Sequence, residues 1–232
     1  MKLIKSVALA AVRACVAPFG YEVLRLHRLE RPWLEDATFM HLFEVIKPRT
    51  VVEVDRLFML YQFAHHASTM PGDIAEVGVY KGGTARLFAE CTIDSNKRIH
   101  LFDTFDGMPS QETFTAFGQK RELFTDTGLD AVVDFVGHRE RVFSHKGIFP
   151  HTAADLQDRQ FSLVHLDADL YESTKSGLEF FWPRMVPGGV IVLDDYGSQH
   201  WYGVKRAVEE FAQEFNVAPI NTTLFQCVCI KK

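Results

Sequence analysis

At 232 residues the chain has room for one domain with a substantial core, alone or with a helical extension. Hydrophobic residues at 47% and charged residues at 24% are ordinary globular values, as expected of a soluble protein that acts on small molecules. A formal net charge of −5 gives no electrostatic reason to expect nucleic acid as a partner.

The first segment, MKLIKSVALAAVRACVAPFGY, opens like a signal peptide, with Lys2 and Lys5 ahead of an apolar run. Arg13 confines that run to Val7–Val12, short of a membrane span and of the usual signal core of about 7–15 residues. The expected element is a short amphipathic helix with no integral span. It is read as packing on the domain, with a second subunit of a homo-oligomer or peripheral contact with a membrane surface as the other sites open to it. Trp33–Ile46 and Val52–Met70 then carry apolar residues at helical spacing, separated by Pro48 and closed by Pro71-Gly72. Residues 1–70 are therefore read as an N-terminal helical extension, and 71–232 as the ligand-binding domain.

From Asp73 the pattern changes to short apolar runs: IAEVGV (74–79), RIHLF (98–102), RVFSH (141–145), FSLVHL (161–166) and GVIVLDD (189–195). Most lack period-2 polarity, as strands covered on both faces do. Helix-length segments such as Gly83–Cys91 and Tyr171–Trp182 lie between them, so the expected fold is α/β, a doubly wound, mostly parallel sheet. An amphipathic helix at 204–215 and a strand at 222–230, antiparallel to the rest, complete it. Cys15, Cys91, Cys227 and Cys229 lack zinc-type spacing and are expected as buried reduced thiols, which fits the cytoplasm. Twenty Phe residues point to a well-filled interior or an aromatic-lined pocket.

Ligands of such sheets sit outside the carboxyl ends of the strands, and polar residues or glycines fall at those ends here. EVGVYKGGTA (76–85) places Gly78 at the strand exit and Gly82 and Gly83 at a helix start, where free N–H groups point outward. It is neither G-x-G-x-x-G nor a P-loop, and Glu76 would repel a pyrophosphate but attract an ammonium group. Adenosylmethionine, with an α-amino group and a sulfonium, matches that sign. In LFDTFDGMP, Asp103 ends the second strand, where a carboxylate either accepts ribose hydroxyls or caps the turn. Asp167 of HLDADLYEST and Asp194 and Asp195 of VLDDYG end strands that lie about 5 Å apart if they are neighbours. Crowded without a basic partner, these carboxylates would repel one another, and an oxygen-preferring divalent cation would relieve them. Capping by Asp169 and Asp195 is the structural alternative.

PGDIAEVGVYKGGTA, FDTFDGMP, HKGIF, HLDADLYEST and PGGVIVLDDYG, in this order, resemble the macrocin O-methyltransferase family of bacterial sugar O-methyltransferases, over residues from about 50 to 232. The resemblance implies the seven-stranded class I methyltransferase sheet, S-adenosylmethionine, Mg²⁺ and a hydroxyl acceptor on a sugar, carried by a small molecule or glycan. Glu76, Gly78 and Asp103 fall on its cofactor motif, with Tyr80, Gly82, Gly83, Thr84, Lys146 and Gly147 as further expected contacts. Asp167, Asp194 and Asp195 fall on its metal motif. Asp167 is the expected proton acceptor, with Asp169 and His200 as further base candidates. Two positions depart from expectation: His151 follows HKGIF-Pro where an acid is expected, and Leu170 stands where metal-dependent catechol-type enzymes place a Lys base. Thr104–Gly128 is a candidate lid over the acceptor. A phenol-directed methyltransferase and a non-catalytic cofactor-binding module are the alternatives.

Overall fold

The computed structural model describes residues 12–19, 31–109, 123–222 and 225–232, and divides into the compact units Met1–Ala37 and Thr38–Lys232. In the first unit, residues 12–16 are helical, and Ala17–Phe19 and Pro32–Glu35 form 3-10 turns. Most of the amphipathic run expected there, residues 1–11, lies outside the described residues.

The strands are β1 (Asp73–Val77), β2 (Ile99–Asp103), β3 (Val142–Lys146), β4 (Phe161–Leu166), β5 (Met185–Leu193), β6 (Ile220–Asn221) and β7 (Cys227–Ile230). They form one sheet in the order β3-β2-β1-β4-β5-β7-β6, and only β7 runs antiparallel to its neighbours. The expected antiparallel strand is thus present, but it lies inside the edge, because the two residues of β6 pair on its outer side. Every residue of β4 is buried, as the continuous apolar run FSLVHL requires of a central parallel strand.

The helices are α1 (Ala37–Ile46), α2 (Val54–Ser68), α3 (Gly83–Cys91), α4 (Leu129–Val136), α5 (Tyr171–Phe181) and α6 (Tyr202–Phe215). One face of the sheet presents Ala75, Val77, Val164, Leu166 and Ile191 to Leu178 and Phe181 of α5 and Val208 and Phe211 of α6. Helices α2 and α3 pack on each other and on the sheet, supplying the second layer that a doubly wound fold needs. Leu57, Leu60, Ala64 and Ala67 of α2 are fully buried, so the compact unit holds this helix and begins at Thr38, although the sequence reading set it in an extension ending at residue 70.

Much of the phenylalanine serves the interior. Phe102, Phe161 and Phe181 are fully buried, and the Phe161 and Phe181 rings meet edge to face at 5.0 Å. Cys227 and Cys229 are buried free thiols; Cys91 is half-buried and Cys15 exposed, so burial holds for only part of the set. Among the described residues, no helix is long and apolar enough to cross a membrane.

Candidate active site

The order of strands reverses between β1 and β4, and the chain leaves β1 there through Gly78. Its φ is +87°, and a Cβ added to it would lie 2.0 Å from the Asp167 carbonyl oxygen. Both the backbone conformation and the closeness of β4 demand glycine. Overpacking and left-handed strain together make Gly78→Ala about 3 kcal/mol destabilising or worse, equivalent to a melting point roughly 6–12 °C lower. Thermal unfolding checks this, and a shift within a degree would show that the two strand ends part freely. Gly82, with φ +86°, then caps α3.

Asp103 at the end of β2 braces this loop. Its Oδ2 accepts the N–H of Val79 at 2.7 Å and of Tyr80 at 3.0 Å, and its Oδ1 accepts the N–H of Phe105 at 2.7 Å. The carboxylate therefore caps two turns and still borders a cavity, so the two roles weighed for it are compatible. That cavity is bounded by Gly78, Asp103 and Gly147 beyond β1, β2 and β3. Asp167 and Asp169 beyond β4, and Ser173 from the first turn of α5, bound it as well. Tyr80, Phe102, Phe124 and Phe149 supply aromatic wall.

The other expected cofactor residues lie elsewhere. Gly83 and Thr84 are buried; a Cβ on Gly83 would meet the Arg49 carbonyl oxygen at 2.8 Å. Lys146 is exposed, and His200 is exposed on the loop before α6, with its N–H on Ser198 Oγ at 3.2 Å. Glu76 is fully buried, bonded to His165 Nδ1 at 2.9 Å. Of the candidate lid, residues 110–122 lie outside the described residues. Its described ends meet where the Met108 N–H donates to the Leu123 carbonyl at 3.0 Å, and Thr127 Oγ1 donates to the Tyr80 carbonyl.

The acidic residues converge as their strand ends predict. Oxygens of Asp167, Asp169 and Asp195 lie within 4.8 Å of one another, and Asp167 also meets Asp194 and His165 within that span. Asp169 and Asp195 both take φ of +60°, a strained conformation for a residue with a Cβ. Burial, then repulsion from Asp194, pushes Asp167 up to about 8. Burial, then the charge of Asp167, holds Asp169 well above the ordinary carboxylate range, and burial also raises Asp195.

Asp194 behaves differently. Burial opposes its charge, yet His165, Arg56 and Gln226 outweigh it and hold its pKa below the ordinary value. Arg56 Nη1 lies 3.1 Å from Asp194 Oδ2 and 3.6 Å from Asp195 Oδ1, and Gln226 Nε2 donates to Asp194 Oδ1 at 2.7 Å. The expectation of a carboxylate cluster without a basic partner is thereby corrected. Arg56 comes from the first turn of α2, 138 residues before Asp194, where no spacing within a motif could reveal it. Gln226, just before β7, carried no signal either. His165 did: a titratable ring in the middle of a wholly buried strand, two residues before Asp167, needs a charged or polar partner.

The macrocin-O-methyltransferase (TylF) family model matches residues 49–232. A tetracenomycin-C rhamnosyl 4'-O-methyltransferase of Streptomyces olivaceus is 31% identical over 166 residues, covering 66% of this chain and 62% of the relative. The chain thus spans about three-fifths of that relative's length. Demethyldecarbamoylnovobiocin O-methyltransferase of Streptomyces niveus is 27% identical over 73% of this chain and 70% of its own. Among solved structures, the O-methyltransferase NovP superposes with a TM-score of 0.68 at 22% identity, over 79% of this chain and 82% of that one. An O-methyltransferase from Bacillus cereus in complex with SAH gives 0.56 at 15% identity, over 95% and 97%. These likenesses show a class I O-methyltransferase fold. Because the family model matches residues 49–232, well over half of the chain, the chain belongs to the macrocin O-methyltransferase family.

Proposed function

We infer that the protein transfers a methyl group from S-adenosylmethionine to a hydroxyl, on a sugar of a small metabolite or glycan. The observation that carries this reading is the single cavity shared by the Gly78 and Asp103 turns and by Asp167 and Asp169. The relatives named for 4'-O-methylation of a rhamnosyl group and for a novobiocin precursor support the acceptor class, and the SAH-bound neighbour supports the donor. Asp103, which accepts three backbone N–H groups and the Thr104 hydroxyl, still borders the cavity and would meet the ribose hydroxyls there.

The donor set fits a hard divalent cation such as Mg²⁺: it is all carboxylate oxygen, close-set, and raised in pKa by burial and then by mutual repulsion. Asp167 and Asp195 would hold it, with Asp194 behind them and Asp169 beside them. Its chemistry would be to lower the pKa of an acceptor hydroxyl. Asp169 or Asp167 then takes the hydroxyl proton as the oxygen–carbon bond forms and the sulfur–carbon bond breaks, leaving S-adenosylhomocysteine. Tyr80 and Phe124 screen the reacting atoms from water. Reduced thiols and the small-molecule cofactor suit the cytoplasm.

The test is transfer of labelled methyl from S-adenosylmethionine to a cell extract and to panels of glycosides and vicinal phenols, with mass spectrometry of the product. A methylated sugar hydroxyl, lost with EDTA and restored by Mg²⁺, is the expected result. Methylation of phenols alone would move the acceptor class, undiminished turnover in EDTA would remove the cation, and tight cofactor binding without any product would remove the activity.

A further inference from the structure

Glu76 is the acid of the cofactor motif, yet its side chain does not border the cavity. In the sheet register Glu76 on β1 stands beside His165 on β4, which stands beside Val192 on β5. Side chains two residues apart share a face, so Asp194 follows Val192 onto the same side. Val77 and Gly78, not Glu76, reach the cavity. What results is a buried row: Glu76 Oε1 to His165 Nδ1 at 2.9 Å, then His165 Nε2 to Asp194 Oδ1 at 3.4 Å, then Asp194 Oδ2 to Arg56 Nη1 at 3.1 Å. Glu76, His165 and Asp194 side chains are all 0% exposed.

The row has a physical logic. Glu76 Oε1 holds the Nδ1 edge of the His165 imidazole by a hydrogen bond, and so turns the Nε2 edge toward Asp194. The Nε2 edge stands 3.4 Å from Asp194 Oδ1, a close approach outside hydrogen-bond geometry, so the orientation of the ring sets what Asp194 faces. Without Glu76 the ring keeps its edge-to-face packing on Phe88 but loses its side-chain hydrogen bond to Glu76, which fixes the atom it offers Asp194.

We propose that Glu76 is a positioning residue for the carboxylate site: acting through His165 it fixes Asp194, and it makes no contact with the methyl donor. This rests on the cation reading above. Partners behind metal ligands typically matter about 10–100-fold in metal affinity. The full-length protein with Glu76→Gln, which keeps shape but removes charge, should therefore bind Mn²⁺ at least about tenfold more weakly by electron paramagnetic resonance. Its affinity for S-adenosylhomocysteine by calorimetry should stay within twofold of wild type. A purely structural Glu–His pair would lower the melting temperature and leave both affinities of the folded protein alone.

The reverse pattern, with S-adenosylhomocysteine binding lost and Mn²⁺ binding kept, overturns the proposal and returns Glu76 to the cofactor. If Glu76→Gln does not fold, His165→Gln carries the same expectation, and undiminished Mn²⁺ binding in that variant overturns it equally. Should the wild type bind no Mn²⁺, the cation reading fails, and the ring ¹⁵N signals of His165 decide the positioning separately. Glu76→Gln should displace the Nε2 signal on the side facing Asp194; an unmoved signal sinks the proposal.

Discussion

Asp167→Asn is expected to lower turnover by two orders of magnitude or more while the metal-free protein becomes harder to melt. The two effects share one cause. Burial and the nearby charges of Asp194 and Asp195 push the Asp167 carboxyl from the ordinary 3.8 up to about 8. The folded protein therefore holds a proton there that the unfolded chain gives up, and stability falls as pH rises between those values. The favourable contribution is complete below the ordinary aspartate value and gone once pH passes about 8. Asparagine removes the charge and with it this loss, so the gap in melting temperature between variant and wild type should widen from pH 5 to pH 8 in EDTA. Mg²⁺ should raise the wild type and not the variant. A variant that melts lower than wild type at pH 8 in EDTA would mean that the carboxylate is held by bonds, not merely crowded. Full turnover in the variant would take Asp167 out of the chemistry.

Asp194→Asn should do the opposite to stability. Here the carboxylate is the partner of His165, Arg56 and Gln226 within a buried set, and its charge is favoured. Removing one member of a buried ion pair leaves the others uncompensated, at a cost of about 3–5 kcal/mol. A drop of roughly 6 °C or more is expected at neutral pH for a chain of this size. Adjacent residues in the sequence, Asp194 and Asp195, would then respond with opposite signs, since burial raises the pKa of Asp195. Equal shifts for the two variants would show that the contact with Arg56 carries little energy.

The contrast marks what sequence could reveal. Strand ends were legible because apolar runs stop where polar residues begin: FSLVHL reads as β4 residue for residue, and Asp167 follows it. The close-set carboxylates are Asp167, Asp169 and Asp195, and Asp194 groups with Asp167 and His165 instead. That Asp167 approaches Asp194 and Asp195 nevertheless followed from strand adjacency. Which of them is anchored did not, because the anchors arrive from α2 and from the residue before β7. Glu76 shows the same limit. Its place in a motif suggested a ligand, whereas its strand register turns it toward His165. Helix α4 carries apolar Leu129, Val132, Val133 and Val136 at helical spacing, a signal legible in the sequence that the reading passed over, whereas two-residue β6 is too short to show a period. Left-handed φ angles at Tyr80, Asp169 and Asp195 are imposed by their surroundings, not by residue type.

The reach of Arg56 into the strand ends bears on how this fold can be cut and exchanged. The family's sequence motifs all begin at Pro71 or later, so a chain shortened to that point would keep every one of them. It would leave Asp194 without its guanidinium and expose the part of the sheet on which α2 packs. Grafting the motif-bearing segment onto another protein, or swapping front ends among relatives to change acceptors, would therefore have to carry α2 along. The exchangeable unit is set by a counter-ion, and its seam lies ahead of the first recognisable motif.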